Sequence, residues 1–235
     1  MQQRHFCTGL GLAVLFATAV AQARDENIPE VWPGFIEPAR VHVTQRLPEI
    51  QRLEPLQDGV LFIGDSITEG APLWAMFPEL ATANYGIGWD TTDGLLLRLE
   101  QIRRNRPQRA FILIGTNDLG YQHSARHIAS NIQSVIATLR PDMPATEFYV
   151  LSILPREAKF VAILAEANEL LRTAAAQGGY VFLDLASHMM DTDGSLRKEL
   201  SYDGLHLNVH GYALWSQVLN GCVRNGCVAV EARDE

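Results

Sequence analysis

Cysteine is scarce in this chain: three residues in 235, one of them at position 7. That excludes a scaffold built on disulfides. The segment around Cys222 and Cys227 lacks the further ligands that a zinc site needs, so no metal is expected there. No basic run offsets the formal net charge of -8. Nucleic acid is therefore not an expected partner. No internal repeat or low-complexity tract is present. The longest apolar stretch falls short of the roughly 20 residues that span a membrane.

That stretch, Leu10 to Ala21, lies in a leader-like segment, 1–23. Arg4 and His5 form a short basic start, and Ala21-Gln22-Ala23 has the small-x-small pattern of a signal-peptidase site. The expectation is export to the periplasm or outside the cell, with no membrane anchor after cleavage; an uncleaved anchor is the alternative. Cleavage removes Arg4 and takes the charge from -8 to -9. About 210 residues remain, which fits one domain. In an oxidising compartment the short Cys222–Cys227 loop can close as a disulfide; two free thiols are the alternative. Residues 24–58 carry Pro29, Pro33, Pro38, Pro48 and Pro55. Proline removes a backbone donor and fixes φ, so this region reads as an extended arm with short helical turns. Trp32 and Phe35 would pack it on the domain, which spans 59–235.

From Asp58 onward strands and helices alternate. Val60–Ile63, Ala110–Ile114, Phe148–Leu151 and Tyr180–Leu183 are short unbroken apolar runs, and 81–84 is a weaker strand. Runs without alternation suit a parallel sheet covered on both faces. Ile128, Ile132, Val135, Ile136 and Leu139 make a helical stripe, as do Phe160, Ile163, Leu164, Ala167 and Leu171. Leu95, Leu96, Leu99 and Ile102 begin a third helix, and Gly211–Leu219 a fourth. The expected fold class is α/β, a sandwich on a mostly parallel five-stranded sheet. Sites in such sheets lie at the carboxyl ends of strands. Ser66, Gly86 and Asn117 all follow predicted strands closely.

Ser66 lies in Gly64-Asp65-Ser66-Ile67-Thr68, between a strand and a helix. It can be a nucleophile only if a base takes its proton; otherwise it or its neighbours merely cap the helix. The segment is not G-x-S-x-G, so the strained elbow of α/β-hydrolases does not apply. Asp203 and His206 stand three apart in a loop before the last helix. The carboxylate can orient the ring and the ring can serve the serine; a turn aspartate beside a partly exposed histidine is the alternative. Asn117, in Gly115-Thr116-Asn117-Asp118, can donate to an oxyanion or form an Asx turn. Gly86 permits close backbone approach to a ligand, or simply makes a turn. His123 and His127 have the i, i+4 spacing of a metal pair. No acidic third ligand is obvious nearby, so they read as solvated residues on a helix face.

These clusters, in this order, resemble the blocks of the SGNH (GDSL-type) hydrolase family. Gly64-Asp65-Ser66-Ile67 matches the first block, Gly86 the second, Gly115-Thr116-Asn117-Asp118 the third and Asp203-x-x-His206 the last. Tyr85–Thr92, Ile153–Arg156 and Asp203–Asn208 look like the branch that contains the platelet-activating-factor acetylhydrolase catalytic subunits. The resemblance covers about Val60 to Trp215. It implies a three-layer α/β/α, flavodoxin-like fold with no metal or organic cofactor. It implies Ser66 as nucleophile, His206 as base and Asp203 as its orienter. It also implies an oxyanion hole from the Ser66 and Gly86 N–H groups and the Asn117 side chain. One departure stands out: Trp89 occupies a position that is usually glycine in this branch. Its ring would narrow the cleft, stack on a sugar, or pack under the loop. The expected activity is hydrolysis of short-chain, foremost acetyl, esters of a small molecule or carbohydrate. A lysophospholipase or thioesterase, or a non-catalytic carbohydrate-binding relative, is the alternative.

Overall fold

The computed structural model describes residues 37–227. Five strands, β1 (Val60–Gly64), β2 (Thr82–Gly86), β3 (Arg109–Leu113), β4 (Glu147–Leu151) and β5 (Val181–Leu183), form one sheet. Its order is β2-β1-β3-β4-β5, and every pairing is parallel. β1 is buried at every position, and β3 and β4 everywhere except their first residue. Burial on both faces explains why these three read as continuous apolar runs. The edge strands β2 and β5 are partly exposed, and β5 has only three residues.

Helices cover both sides of the sheet, giving the three-layer α/β/α arrangement. They are α1 (Glu37–Arg52), α2 (Ser66–Glu69), α3 (Leu73–Met76), α4 (Thr92–Leu97), α5 (Leu99–Arg103), α6 (Ala125–Leu139), α7 (Val161–Ala175), α8 (Ala186–Met189) and α9 (Val209–Asn225). The register sets Phe62 opposite Phe111, and Phe111 opposite Tyr149. Their rings stack across the sheet at 5.3 and 4.7 Å, and Trp215 of α9 meets Phe62 edge-on. Such pairs contribute about 0.5–1.5 kcal/mol each beyond the area they bury.

The strand order also positions the site. The chain leaves β1 for one neighbour, β2, and returns to the other, β3. Connections that diverge in this way leave a crevice at the carboxyl ends of β1 and β3. Ser66 follows β1 directly, and Asn117 follows β3 after a short loop.

Several expectations need correction. Residues 37–52 are one continuous helix rather than an extended arm. Ala39, Val43, Leu47 and Ile50 are buried along one side of it. Burying Val43, Leu47 and Ile50 contributes about 1.5–3 kcal/mol each. That outweighs the roughly 3 kcal/mol that Pro48, inside the helix, costs. Arg46 ties α1 to β2 by donating to the Asn84 and Gly86 carbonyls. The helix expected through Leu95–Ile102 breaks at Arg98 into α4 and α5. The last helix is longer than Gly211–Leu219, starting at Val209 under the Asn208 cap. Cys222 in its last turn is joined to Cys227, just beyond its end, as a disulfide. The leader, Trp32 and Phe35 lie outside the described residues. Among the described residues no helix is long and apolar enough to cross a membrane.

The break at Arg98 has a physical cause. Its side chain turns inward and is 1% exposed. Nε donates to Asp90 Oδ2 at 2.7 Å, Nη1 to the Tyr85 carbonyl at 2.9 Å and Nη2 to the Gly64 carbonyl at 3.0 Å. The Arg98→Met variant should lose about 3–5 kcal/mol of stability, because Asp90 is left buried without its partner. Urea denaturation checks this; a loss under about 1 kcal/mol would show that the tie is dispensable.

Candidate active site

The turn before α9 builds one half of the site. The Asp203 Oδ1 accepts from the N–H groups of Leu205 and His206, at 2.9 and 2.7 Å. Its Oδ2 lies 2.7 Å from His206 Nδ1. Ser201 closes the turn by donating from Oγ to the His206 carbonyl. Partial desolvation works to raise the Asp203 pKa. The bonds from the His206 ring and from the two N–H groups outweigh it, and hold the carboxyl at about 2. An ionised carboxylate can only accept, so Nδ1 carries the proton that faces it. That leaves Nε2 of a neutral ring as the acceptor, and Ser66 Oγ stands 2.9 Å from it. Residues 140 apart in the chain thus form a continuous Asp203–His206–Ser66 line.

Ser66 is the first residue of α2, so its N–H has no acceptor within the helix. Asp65 caps that helix through the Ile67 N–H. Glycine is required at 64, where a Cβ would come within 2.1 Å of the Leu113 carbonyl. Tyr212 of α9 donates to the Ile67 carbonyl and so braces α2 from the other side.

The donors near Ser66 differ from the expected set in one respect. The Gly86 N–H is already directed at Asn84 Oδ1, at 2.9 Å. A Cβ at Gly86 would lie 2.2 Å from the Glu69 backbone nitrogen. This glycine therefore serves close packing of β2 on α2, and in this conformation does not offer its N–H to a ligand. Further along the loop, the Ile87 N–H donates to the Gly64 carbonyl, Gly88 to Glu69, Asp90 to the Ile87 carbonyl and Thr91 to Asp90. Trp89 is the exception: its N–H has no acceptor among the described residues. It sits at φ 69, the left-handed region, where glycine is the easy choice. The residue is 46% exposed and is not packed under the loop. Asn117 Nδ2 donates to the Asp90 carbonyl at 2.9 Å, which sets the amide beside this same loop and leaves its second hydrogen available.

Two further residues were not singled out in the sequence. Arg98 anchors the loop from below. Tyr202 is 72% exposed, and its ring lies nearly parallel to that of His206 at 6.1 Å. Its position directly before Asp203 was the available signal. On the far side of Asn117 the fold gathers His123, His127, Asp93 and Asp118. Asp93 comes from α4 and Asp118 from the segment just before His123, so the histidines are not isolated residues on a helix face.

A family model described as GDSL-like Lipase/Acylhydrolase matches residues 62–214. The platelet-activating factor acetylhydrolase IB subunit alpha1 of Rattus norvegicus is 32% identical over 165 residues, covering 65% of this chain and 69% of its own. A solved structure from Streptococcus pneumonia, provisionally described as a platelet activating factor, superposes with TM-score 0.67 at 28% identity. It covers 79% of this chain and 93% of its own. A variant of an acetyl-xylooligosaccharide esterase from Geobacillus shares the fold, with TM-score 0.57 at 19% identity, covering 76% and 99%.

Burial raises the Asp65 carboxyl to about 7 against the bond from Ile67. The folded state therefore binds this proton more tightly than the unfolded chain does. Stability should fall as pH rises from about 4 to about 7 on this account, and level off above. Asp203 acts with opposite sign and only between about pH 4 and 2, so the windows do not overlap. The Asp65→Asn variant should gain stability over the parent progressively across the higher window. Urea midpoints at pH 5 and pH 8 test this; an advantage independent of pH would rule out Asp65 as the source.

Proposed function

The chain belongs to the GDSL-like lipase/acylhydrolase family and is a carboxylic ester hydrolase; from that premise we propose that Ser66 attacks short acyl esters, acetyl foremost, carried on carbohydrate. The observation that carries the reading is the unbroken line from Asp203 through His206 to Ser66 Oγ. His206 Nε2 takes the serine proton as Oγ bonds to the ester carbonyl carbon. Negative charge then develops on the carbonyl oxygen. The Ser66 N–H, the Asn117 amide and the Trp89 N–H stabilise it, Trp89 taking the place first expected for Gly86. The tetrahedral species collapses, the alcohol leaves with the proton from His206, and an acyl-serine remains. Water repeats the sequence and releases the acid. Asp203 stays ionised throughout and keeps the ring in the productive tautomer.

Two aromatic faces favour a carbohydrate alcohol. Trp89 is half-exposed beside the donors, and Tyr202 stands open next to His206. Flat, rigid rings supply large contact area at low entropic cost, which suits the apolar faces of sugars. The acetyl-xylooligosaccharide esterase among the structural neighbours is in keeping with this. A second reading, an ester on a lipid alcohol or a longer acyl chain, is favoured by the platelet-activating factor acetylhydrolase relatives.

Ser66→Ala should abolish turnover and labelling by a fluorophosphonate with the fold intact. Asn117→Ala should lower kcat about 10²–10³-fold with little change in KM. Labelling that survives Ser66→Ala would remove the serine from its role, and a parent protein that is never labelled would favour a non-catalytic binder. A panel of p-nitrophenyl acetate, p-nitrophenyl octanoate and acetylated xylooligosaccharides addresses the substrate. Acetylated sugars should give the highest kcat/KM, and a strong octanoate preference would reject the acetyl reading.

A further inference from the structure

Beside the active site, but separate from it, four potential ligands converge from three segments. Asp93 lies in the first turn of α4, Asp118 just after Asn117, His123 before α6 and His127 in its first turn. One ligand atom from each lies within 4.8 Å of all the others. His127 Nε2 is 2.8 Å from Asp93 Oδ2. His123 Nδ1 is 3.2 Å from Asp118 Oδ1 and 3.6 Å from Asp93 Oδ2. In a tetrahedral zinc site with bonds of about 2.0–2.2 Å, neighbouring ligand atoms stand about 3.4 Å apart. The three separations bracket that value.

The surrounding bonds orient the carboxylates as supporting partners of a metal site do. Asn131 Nδ2 donates to Asp93 Oδ1, which leaves Oδ2 facing both histidines. Thr92 holds Asp118 by two bonds, from its N–H to Oδ2 and from its hydroxyl to Oδ1. Asn131 Nδ2 also reaches the Thr92 hydroxyl oxygen and His127 Nε2, at 3.0 and 3.1 Å. The amide has two hydrogens for three acceptors, and His127 Nε2 cannot both donate to Asp93 and accept from Asn131. A cation between the ring nitrogens and the carboxylates resolves this conflict, since Nε2 then presents its lone pair to the ion. Asp118 is 0% exposed, whereas Asp93 and both histidines are partly open to solvent. The group thus has a fixed floor and an entry side. Two imidazoles and two carboxylates suit a borderline ion of the zinc type rather than calcium or magnesium, which prefer oxygen alone.

We infer that Asp93, Asp118, His123 and His127 form a site for one divalent transition-metal ion of the zinc class, tying α4, the Asn117 loop and the start of α6 together. The ion takes no part in acyl transfer. It holds Asp118, and through the chain it restrains Asn117.

Cobalt(II) is the probe, because its visible spectrum reports four-coordination directly. Titration of the full protein should saturate at one equivalent with the strong absorption of a tetrahedral site, and equimolar Zn2+ should displace it. Melting temperature should rise with Zn2+ concentration, as binding to the folded state alone requires. His127→Gln and Asp93→Asn, each checked for folding by circular dichroism, should weaken binding by at least about 10–100-fold, the loss that even an outer-shell partner causes. Two variants are used because each alters a partly exposed group, so a folding defect in one leaves the other to decide. The inference is overturned if no saturable spectral change appears, or if the folded variants bind Co2+ as the parent does.

Discussion

A single buried guanidinium organises the catalytic end of this sheet. Arg98 satisfies the carbonyls at the ends of β1 and β2 and at the same time pairs with Asp90. Those two carbonyls lie where the strands stop; the Gly64 carbonyl also accepts from the Ile87 N–H, and Arg98 adds a charged donor to it. Asp90 in turn offers its carbonyl to the Asn117 amide. A chain of contacts therefore runs from the core to Asn117, the proposed oxyanion donor. A buried ion pair adds little net stability over a well-packed apolar substitute. Its value here is positional: a planar fork with fixed donor directions sets two strand ends and a loop at once.

The same region holds more acid than base. Asp65, Asp90 and Asp118 are all buried, and Arg98 is the one buried cation among the described residues. Burial raises all three carboxyls, and their mutual repulsion adds to the effect at Asp65 and Asp90. In the proposed mechanism, a full negative charge at Asp65 would oppose the oxyanion formed at its neighbour Ser66. Keeping the Asp65 proton up to about pH 7 reduces that opposition. Asp203 has the reverse setting. It lies nearer the surface, accepts several N–H bonds and stays charged, as the orienter of a histidine must. Environment, not residue type, divides these aspartates.

How much of this was legible in the sequence depended on whether a signal was local. The strands were visible because a sheet covered on both faces leaves unbroken apolar runs, and β2 was fainter because a partly exposed edge strand carrying Thr82, Asn84 and Gly86 does not. The serine, histidine and aspartate were visible because each lies in a short block beside a strand or helix end. Helix α1 was hidden behind its prolines, although Ala39, Val43, Leu47 and Ile50 have helical spacing; burial of that stripe outweighed one lost bond. Arg98 gave no signal, since it interrupts a leucine-rich helix like any surface arginine and only the fold turns it inward. The role of Gly86 is not legible in the sequence, because glycine serves both close packing and ligand approach and composition cannot separate the two. The acidic partners of His123 and His127 carry little signal for a related reason: Asp118 lies close in sequence but inside the Gly115–Asp118 block, and Asp93 is brought in from α4 only by the fold.

Trp89 joins these threads. A non-glycine residue in the left-handed region costs about 1–2 kcal/mol. A glycine there would adopt the same backbone without that cost and would present the same N–H. The strain is therefore not needed for the donor. What tryptophan adds is a ring, and that ring is half-exposed rather than buried, so packing within the described residues offsets little of the penalty. On the proposed reading, contact made when the cleft is filled supplies the remaining compensation. A flat aromatic surface set one residue from Asp90, with Tyr202 beside His206, fits the proposed carbohydrate ester better than a thin acyl chain. Backbone strain at position 89 and substrate shape are, on this view, two expressions of one constraint.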